Sequence, residues 1–365
     1  MRAALLEQTA RALRVPREMR AAVYRGPGEV CLESVPVPET GDGELLIRVD
    51  CCGVCGTDIK KIERGLVEPP RIFGHEIAGT VVRAGAAVTR FSAGDRVALH
   101  HHIPCRSCFY CSKKLFSQCE SYRRTGTTAG FGPAGGGFAE YVRVMDWIVR
   151  EGVVPIPDGV GFEEASFLEP LNTCLKALET ADLQAGELVV ILGQGPIGLL
   201  LLQAAVVQGA RVLGLDLMES RLALARRLGA EFALDPRRDD VRAAIGDRSE
   251  GRGADLVIVA TADARAIASA QEMARRGGRV LLFAQTVPGE IVPVDASRIC
   301  VEEKKLIGSY SASVELQDKA ASLLFSRRVR VAELVSHRFA LDRLLEGVEL
   351  AARPSEDSLK VVIRP

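Results

Sequence analysis

"LVVILGQGPIGLLLLQAAVV", residues 188–207, is a nearly continuous apolar run of the length a membrane-spanning helix needs. Gly193, Gly195 and Gly198 break it in the spacing G-x-G-x-x-G, so it reads instead as a strand, a tight turn and a buried helix. The first glycine permits the turn, the second lets a pyrophosphate approach the backbone, and the third lets helix and strand pack closely. Pro196 and Ile197 fall inside the same turn, where free N–H groups and the positive end of the helix dipole face the phosphates. Asp216 ends the next strand-like run, "RVLGLDL", near the expected distance for an acid that accepts hydrogen bonds from an adenosine ribose. A carboxylate there repels a 2′-phosphate, so NAD is expected over NADP. Arg221, a few residues on, can cover the adenine or meet a phosphate.

Working outward, residues 171–308 alternate strand and helix: "RVLGLDL", "SRLALARRLG", "DLVIVA", "ARAIASAQEMAR" and "RVLLFA" follow the glycine turn. Such alternation predicts a parallel sheet covered by helices on both faces. Residues 20–150 instead show short β-rich runs between Gly and Pro turns, among them "ELLIRVDCCGV", "EIAGTVVRAG" and "GDRVAL". The closing stretch, with "HRFAL", "LDRLLEGVELAAR" and "SLKVVIRP", resembles this β-rich part. The expected fold class is therefore α/β plus β. A β-rich domain of residues 19–170 and 311–365 is split around a doubly wound domain of residues 171–310. "MRAA" occurs at Met1 and again at Met19, which makes residues 1–18 read as an N-terminal extension. The glycine-rich stretch "TGTTAGFGPAGGGFAEYV" reads as a loop returning the chain to a strand.

A chain of 365 residues exceeds what one core usually organises. Lys plus Arg and Asp plus Glu both number 47, so no net field attracts nucleic acid or an anionic membrane, and neither partner is expected. Ten cysteines without a secretory leader point to a reducing compartment, the cytoplasm, where thiols serve as metal ligands or buried apolar groups.

Cys105, Cys108, Cys111 and Cys119 follow C-x2-C-x2-C-x7-C. Four thiolates so placed can close a tetrahedron around zinc and leave no position for water or substrate, so that site is structural. His100, His101 and His102 precede it. Consecutive residues of a strand point to opposite faces, so one of these histidines is expected to be packed and another exposed. A second, dispersed set comprises Cys55 in "GVCGTD", His75 and Glu76 in "GHE", and Glu169 in "FLEPLNTC". Cys, His and carboxylate are the ligand types of a catalytic zinc with an open position.

The order "GVCGTD", "GHEIAGTVV", "GDRV", four spaced cysteines, "EP" and "GQGPIG" resembles the zinc-containing medium-chain dehydrogenases, and most of all their sorbitol (L-iditol), threonine and polyol members. The resemblance covers residues 20–365. It implies a GroES-like catalytic domain, a Rossmann domain and a zinc- and NAD-dependent oxidation of a secondary alcohol, with one catalytic and one structural zinc per chain. It also implies a homo-oligomer, a dimer or tetramer. Cys55 and His75 fall on zinc ligands, Glu76 on an adjacent glutamate and Glu169 on the glutamate of polyol and threonine dehydrogenases. Thr57 takes the position of the hydroxyl that receives the substrate proton. Thr173 matches a residue that packs on the nicotinamide, while the backbone near Ala284 and Ser309 holds the carboxamide. Two positions depart from the pattern: Lys60 stands where many members carry a relay histidine. Ser311 and Ala312 stand where sorbitol dehydrogenases carry an Arg-Tyr pair, which speaks against sorbitol as the substrate. The competing readings are an NADPH-dependent carbonyl reductase and a non-enzymatic nucleotide-binding relative.

Overall fold

Residues 15–121 and 136–365 are described in a computed structural model. Contacts divide the chain into two units. One runs to Glu169 and takes in Ser313–Phe325 and Val331–Pro365; the other is Pro170–Ala312 with Ser326–Arg330. Most of the proposed N-terminal extension and most of the glycine-rich stretch lie outside the described residues.

The first unit holds two sheets. A hairpin of β1 (Glu18–Gly26) and β2 (Glu29–Pro36) pairs with β4 (Arg71–Ile72) in a small antiparallel sheet. The larger sheet contains β3 (Leu45–Gly53), β5 (Glu76–Ala84), β6 (Arg96–Leu99), β7 (Tyr141–Val144), β8 (Val153–Pro155), β15 (Val335–Ala340) and β16 (Lys360–Arg364). Its order is β15-β16-β3-β5-β6-β8, with β7 also paired to β3. Both long central strands, β3 and β5, are buried almost throughout. Burial on both faces explains why their sequences read as apolar runs rather than as a clean alternation. Leu45, Ile47, Val81, Val97, Phe138 and Ile363 pack into one core on this sheet.

The second unit is a six-stranded sheet of β9 (Leu188–Leu192), β10 (Arg211–Leu215), β11 (Phe232–Leu234), β12 (Ala254–Val259), β13 (Ala274–Leu282) and β14 (Lys305–Gly308). Every neighbouring pair is parallel, in the order β11-β10-β9-β12-β13-β14. Counted from β9 this is 3-2-1-4-5-6, the doubly wound order whose direction reverses beside its first strand. Ligands of such sheets bind outside the carboxyl ends of the strands at that reversal, and Gly193 follows directly on β9 there. One boundary differs from the sequence reading. "ARAIASAQEMAR" forms a helix only over Ala264–Met273, because Ala274 already pairs with Ala254 in the sheet.

Candidate active site

The glycine turn is built as its spacing requires. Gly193 has φ +92°, a left-handed conformation open to glycine at no steric cost. A Cβ on Gly198 would collide with the carbonyl oxygen of Gly193, so any larger residue forces helix and strand apart. Gly195 is the N-cap of the helix Pro196–Val207, with Pro196 in its first turn.

Asp216 follows β10. Its Oδ2 accepts the Gln194 N–H at 2.6 Å, and its Oδ1 accepts from Leu217 and Met218 at 2.8 and 3.0 Å. The carboxylate thus ties the glycine turn to the end of β10. Arg221 lies 3.8 Å from Asp216. Thr173 is half-buried on the helix Leu168–Thr180. The Ala284 N–H is spent on Val259, and the Ser309 N–H reaches Leu282 at 3.4 Å. The Ser309 hydroxyl is buried without a hydrogen-bond partner among the described residues.

In the first unit, Cys55 caps the helix Gly56–Arg64 and His75 directly precedes β5. Cys55, His75 and Glu76 present ligand atoms that all lie within 4.8 Å of one another. Thr57 donates its hydroxyl to the Cys55 sulfur at 3.3 Å, and Lys60 is half-buried on the same helix. Burial and the neighbouring Arg64 pull the Lys60 ammonium below its usual range, against a smaller opposing pull from Cys55.

Two residues that the sequence reading passed over hold this group in place. Asp58 is fully buried; its carboxylate meets His75 Nδ1 at 3.2 Å and accepts the Cys55 N–H at 3.3 Å. With Nδ1 engaged, Nε2 is the nitrogen left to face a metal, the usual role of a carboxylate behind a ligating histidine. Lys360, on β16, is buried with its Nζ ion-paired to Glu76 and donating to the Val54 carbonyl at 2.9 Å. Burial is the largest influence and disfavours that ammonium, but Glu76, Cys55 and Glu169 together outweigh it and raise the proton affinity above the usual value. Gly53 makes room for the pair, since a Cβ there would strike the Glu76 carboxylate and come 2.9 Å from the Lys360 side chain.

The electrostatics fit a cation. Burial alone disfavours a charged His75, yet the Asp58 and Cys55 charges raise its proton affinity well above the ordinary value. A cysteine sulfur and a buried carboxylate on either side of one imidazole make a place that favours positive charge, the setting a metal cation suits. The Glu169 carboxylate lies within 4.8 Å of His101 and His102, and its charge also acts on Lys360, the partner of Glu76.

The reading of the histidine run fails in one respect. β6 stops at Leu99, so residues 100–102 are not a strand and do not alternate between faces. His100 and His101 are buried, and the His102 side chain is only 10% exposed. None of the three is a solvent-facing histidine.

The four cysteines also come together within 4.8 Å, Cys111 and Cys119 buried. The sulfur of Cys105 accepts from the Ser107 hydroxyl at 3.5 Å and the Cys108 N–H at 3.4 Å, and Cys119 accepts the Cys105 N–H at 3.2 Å. Hydrogen bonds from Ser107 and Cys108 bring the Cys105 thiol down to about 5, so it is a thiolate at neutral pH, the form a metal binds.

Residues 41–158 match the model of the alcohol dehydrogenase GroES-like domain, and residues 196–326 that of the zinc-binding dehydrogenases. The chain belongs to the zinc-binding alcohol dehydrogenase family. The dehydrogenase is 30% identical to a sorbitol dehydrogenase of Bacillus subtilis over 96% of its own length and 98% of the relative's. It is 31% identical to an L-threonine 3-dehydrogenase of Symbiobacterium thermophilum, covering 98% of this chain and 99% of the other. Among solved structures, one described as a zinc-binding dehydrogenase of Sinorhizobium meliloti bound to NADP superposes on the dehydrogenase with a TM-score of 0.86. That pair shares 30% identity and covers 96% and 100% of the two chains. No helix among the described residues of the dehydrogenase is long and apolar enough to cross a membrane.

Proposed function

We propose that this enzyme oxidises the secondary hydroxyl of a polyol, cyclitol, amino alcohol or other secondary alcohol to a carbonyl, passing hydride to NAD. The reading rests on Cys55, His75 and Glu76 meeting within 4.8 Å, with His75 fixed by Asp58 and Glu76 by Lys360. When bound there, zinc supplies the Lewis acidity that lowers the pKa of the substrate hydroxyl, and the nicotinamide accepts the hydride. Thr57 takes the hydroxyl proton at Oγ1, two residues from the ligand Cys55. Lys60, with its depressed proton affinity, carries that proton outward in place of a histidine. Gly193, Gly195, Pro196, Ile197 and Gly198 cradle the pyrophosphate, and Asp216 meets the adenosine ribose. Thr173, Ala284 and Ser309 hold the nicotinamide. Cys105, Cys108, Cys111 and Cys119 hold a second, structural zinc. Ala312 is buried and carries no polar group, so a long polyol such as sorbitol finds no grip at that position.

A panel of polyols, inositols, amino alcohols and simple secondary alcohols with NAD, read by NADH absorbance, tests the activity. NADH should appear with at least one of these classes and vanish after chelation; silence across the panel would sink the proposal. Arg221 beside Asp216 and the NADP-bound relative favour a second reading, an NADPH-dependent reductase. Asp216→Asn separates the two. It keeps one oxygen to accept from Leu217 and Met218, puts an amide NH2 opposite the Gln194 N–H and removes the charge, so the kcat/KM preference for NAD over NADP should fall about tenfold, or about 1.4 kcal/mol. A wild-type enzyme that already prefers NADP would establish the second reading.

We also propose that the enzyme is a cytoplasmic homo-oligomer. β14 is the edge of its sheet, and Val301 and Tyr310, which flank it in the sequence, are 81% and 41% exposed. An open edge with exposed apolar neighbours is a pairing surface for a second copy. Light scattering should give a dimer or tetramer mass, and a charge introduced by Val301→Asp should lower it; a monomeric wild type would refute the assignment.

A further inference from the structure

We propose that Lys176 is a positioning residue for the nicotinamide, holding the Tyr310 carbonyl so that the neighbouring Ser309 hydroxyl is presented to the carboxamide. This role rests on the reading in which Thr173, Ala284 and Ser309 hold that ring. The helix Leu168–Thr180 is buried from Pro170 to Leu178 except at Thr173 and Lys176. Residues three apart on a helix share a face, so the accessible face carries Thr173 and, one turn on, the lysine. The Lys176 ammonium donates to the Tyr310 carbonyl, in the segment that follows β14. Both ends of that bond lie in the second unit. Burial brings the ammonium down to about 8, so it is charged at neutral pH but poorly hydrated, and a carbonyl partner counts for more there than in water.

The segment it holds is weakly tied on its own. Ser309 leaves β14 with a long N–H to Leu282, 3.4 Å, and its hydroxyl is buried without a hydrogen-bond partner among the described residues. Buried hydroxyls are normally satisfied, so an unpaired one beside a cofactor site marks a place that a polar group of the ligand completes. Two residues on, Ser311 has φ +64°, a left-handed conformation that a residue with a Cβ keeps only when its surroundings impose it. Tyr310 stands between the two. With β14 holding the chain before Ser309 and Lys176 holding the carbonyl just after it, Ser309 is fixed from both sides. Lys176 thus joins the helix that carries Thr173 to the strand end that carries Ser309.

The full-length enzyme should be titrated with NADH, with NADPH and with ADP-ribose, which has the adenosine, the pyrophosphate and the second ribose but no nicotinamide. Lys176→Met keeps the stem of the side chain and removes the ammonium. It should raise the Kd of both dinucleotides about tenfold, the scale of one hydrogen bond from a charged group, and leave the Kd of ADP-ribose within a factor of about two. Ser309→Ala, which removes the hydroxyl alone, should show the same pattern at about threefold. In that background Lys176→Met should cost less than it does in the wild type, because the group it positions is already gone.

An unchanged ADP-ribose affinity also shows that the nucleotide-binding unit of each variant is folded. Normal dinucleotide affinity in either single variant would overturn the proposal. So would equal weakening of all three ligands by Lys176→Met, the mark of a general structural staple, or losses at Lys176 and Ser309 that simply add. Binding is read without alcohol, so an error in the substrate class or in the choice between NAD and NADP leaves the result standing. A wild type that binds neither dinucleotide more tightly than ADP-ribose would instead remove the nicotinamide site itself.

Discussion

Cys55→Ala should lower kcat/KM by about a thousandfold or more, a loss of about 4 kcal/mol of transition-state stabilisation, while the protein stays folded. Cys55 is the one cysteine among Cys55, His75 and Glu76, and it also receives the Thr57 hydroxyl and caps the helix that carries Thr57 and Lys60. Removing the sulfur therefore takes away a proposed ligand and leaves Thr57, the proposed proton acceptor, without its neighbour. Elemental analysis should show one zinc fewer than the wild type, with the metal of Cys105, Cys108, Cys111 and Cys119 unaffected. A variant with full zinc content and near-normal turnover would remove the metal centre from this position altogether.

The largest effect on stability is expected from Lys360→Met. Methionine fills the volume of the lysine stem but leaves the Glu76 carboxylate buried, 1% exposed, without its cation. Losing one partner of a buried pair costs about 3–5 kcal/mol, because the remaining charge is stranded. Adding Glu76→Gln should recover most of that loss by removing the stranded charge, though not the activity. The single tryptophan, Trp147, packs against the core of the same unit. Its fluorescence during urea unfolding therefore reports the unit in question. An unchanged midpoint in the single variant would mean that Glu76 already has another counter-charge.

These effects depend on residues of unequal visibility in the sequence. The parallel sheet is legible because β9, β10, β12 and β13 are buried apolar runs spaced by helical periods, with glycines where the turn needs them. Local spacing likewise groups the four cysteines, since all four lie within one short loop. The group of Cys55, His75 and Glu76 is legible only as a set of ligand types, because β3 and β5 must pair before the residues at their ends meet. Asp58 and Lys360 were passed over although each left a signal: an acid inside "GVCGTD", and a lysine opening the apolar strand "KVVIR". Neither signal says which side chain faces inward. The histidine run misled for a simple reason, since period-two alternation was applied past Leu99, where the strand ends. That His101 and His102 meet Glu169 depends on where a loop and a helix start are carried, which no local pattern encodes.

The Lys360 pairing also bears on the order of events during synthesis. β16 inserts next to β3, with Val362 opposite Gly53 and Ile363 opposite Cys52, and only then does the ammonium reach Glu76. Cys55, His75 and Glu76 leave the ribosome long before that strand exists, and chains acquire structure from the N-terminal side first. Until the late strand arrives, the glutamate lacks the counter-ion that fixes it, and the ligand set is unfinished. On the proposed ligand assignment, metal loading at this centre is expected to come late, coupled to completion of the chain, whereas the cysteine loop carries all four of its proposed ligands within one short segment and can close early.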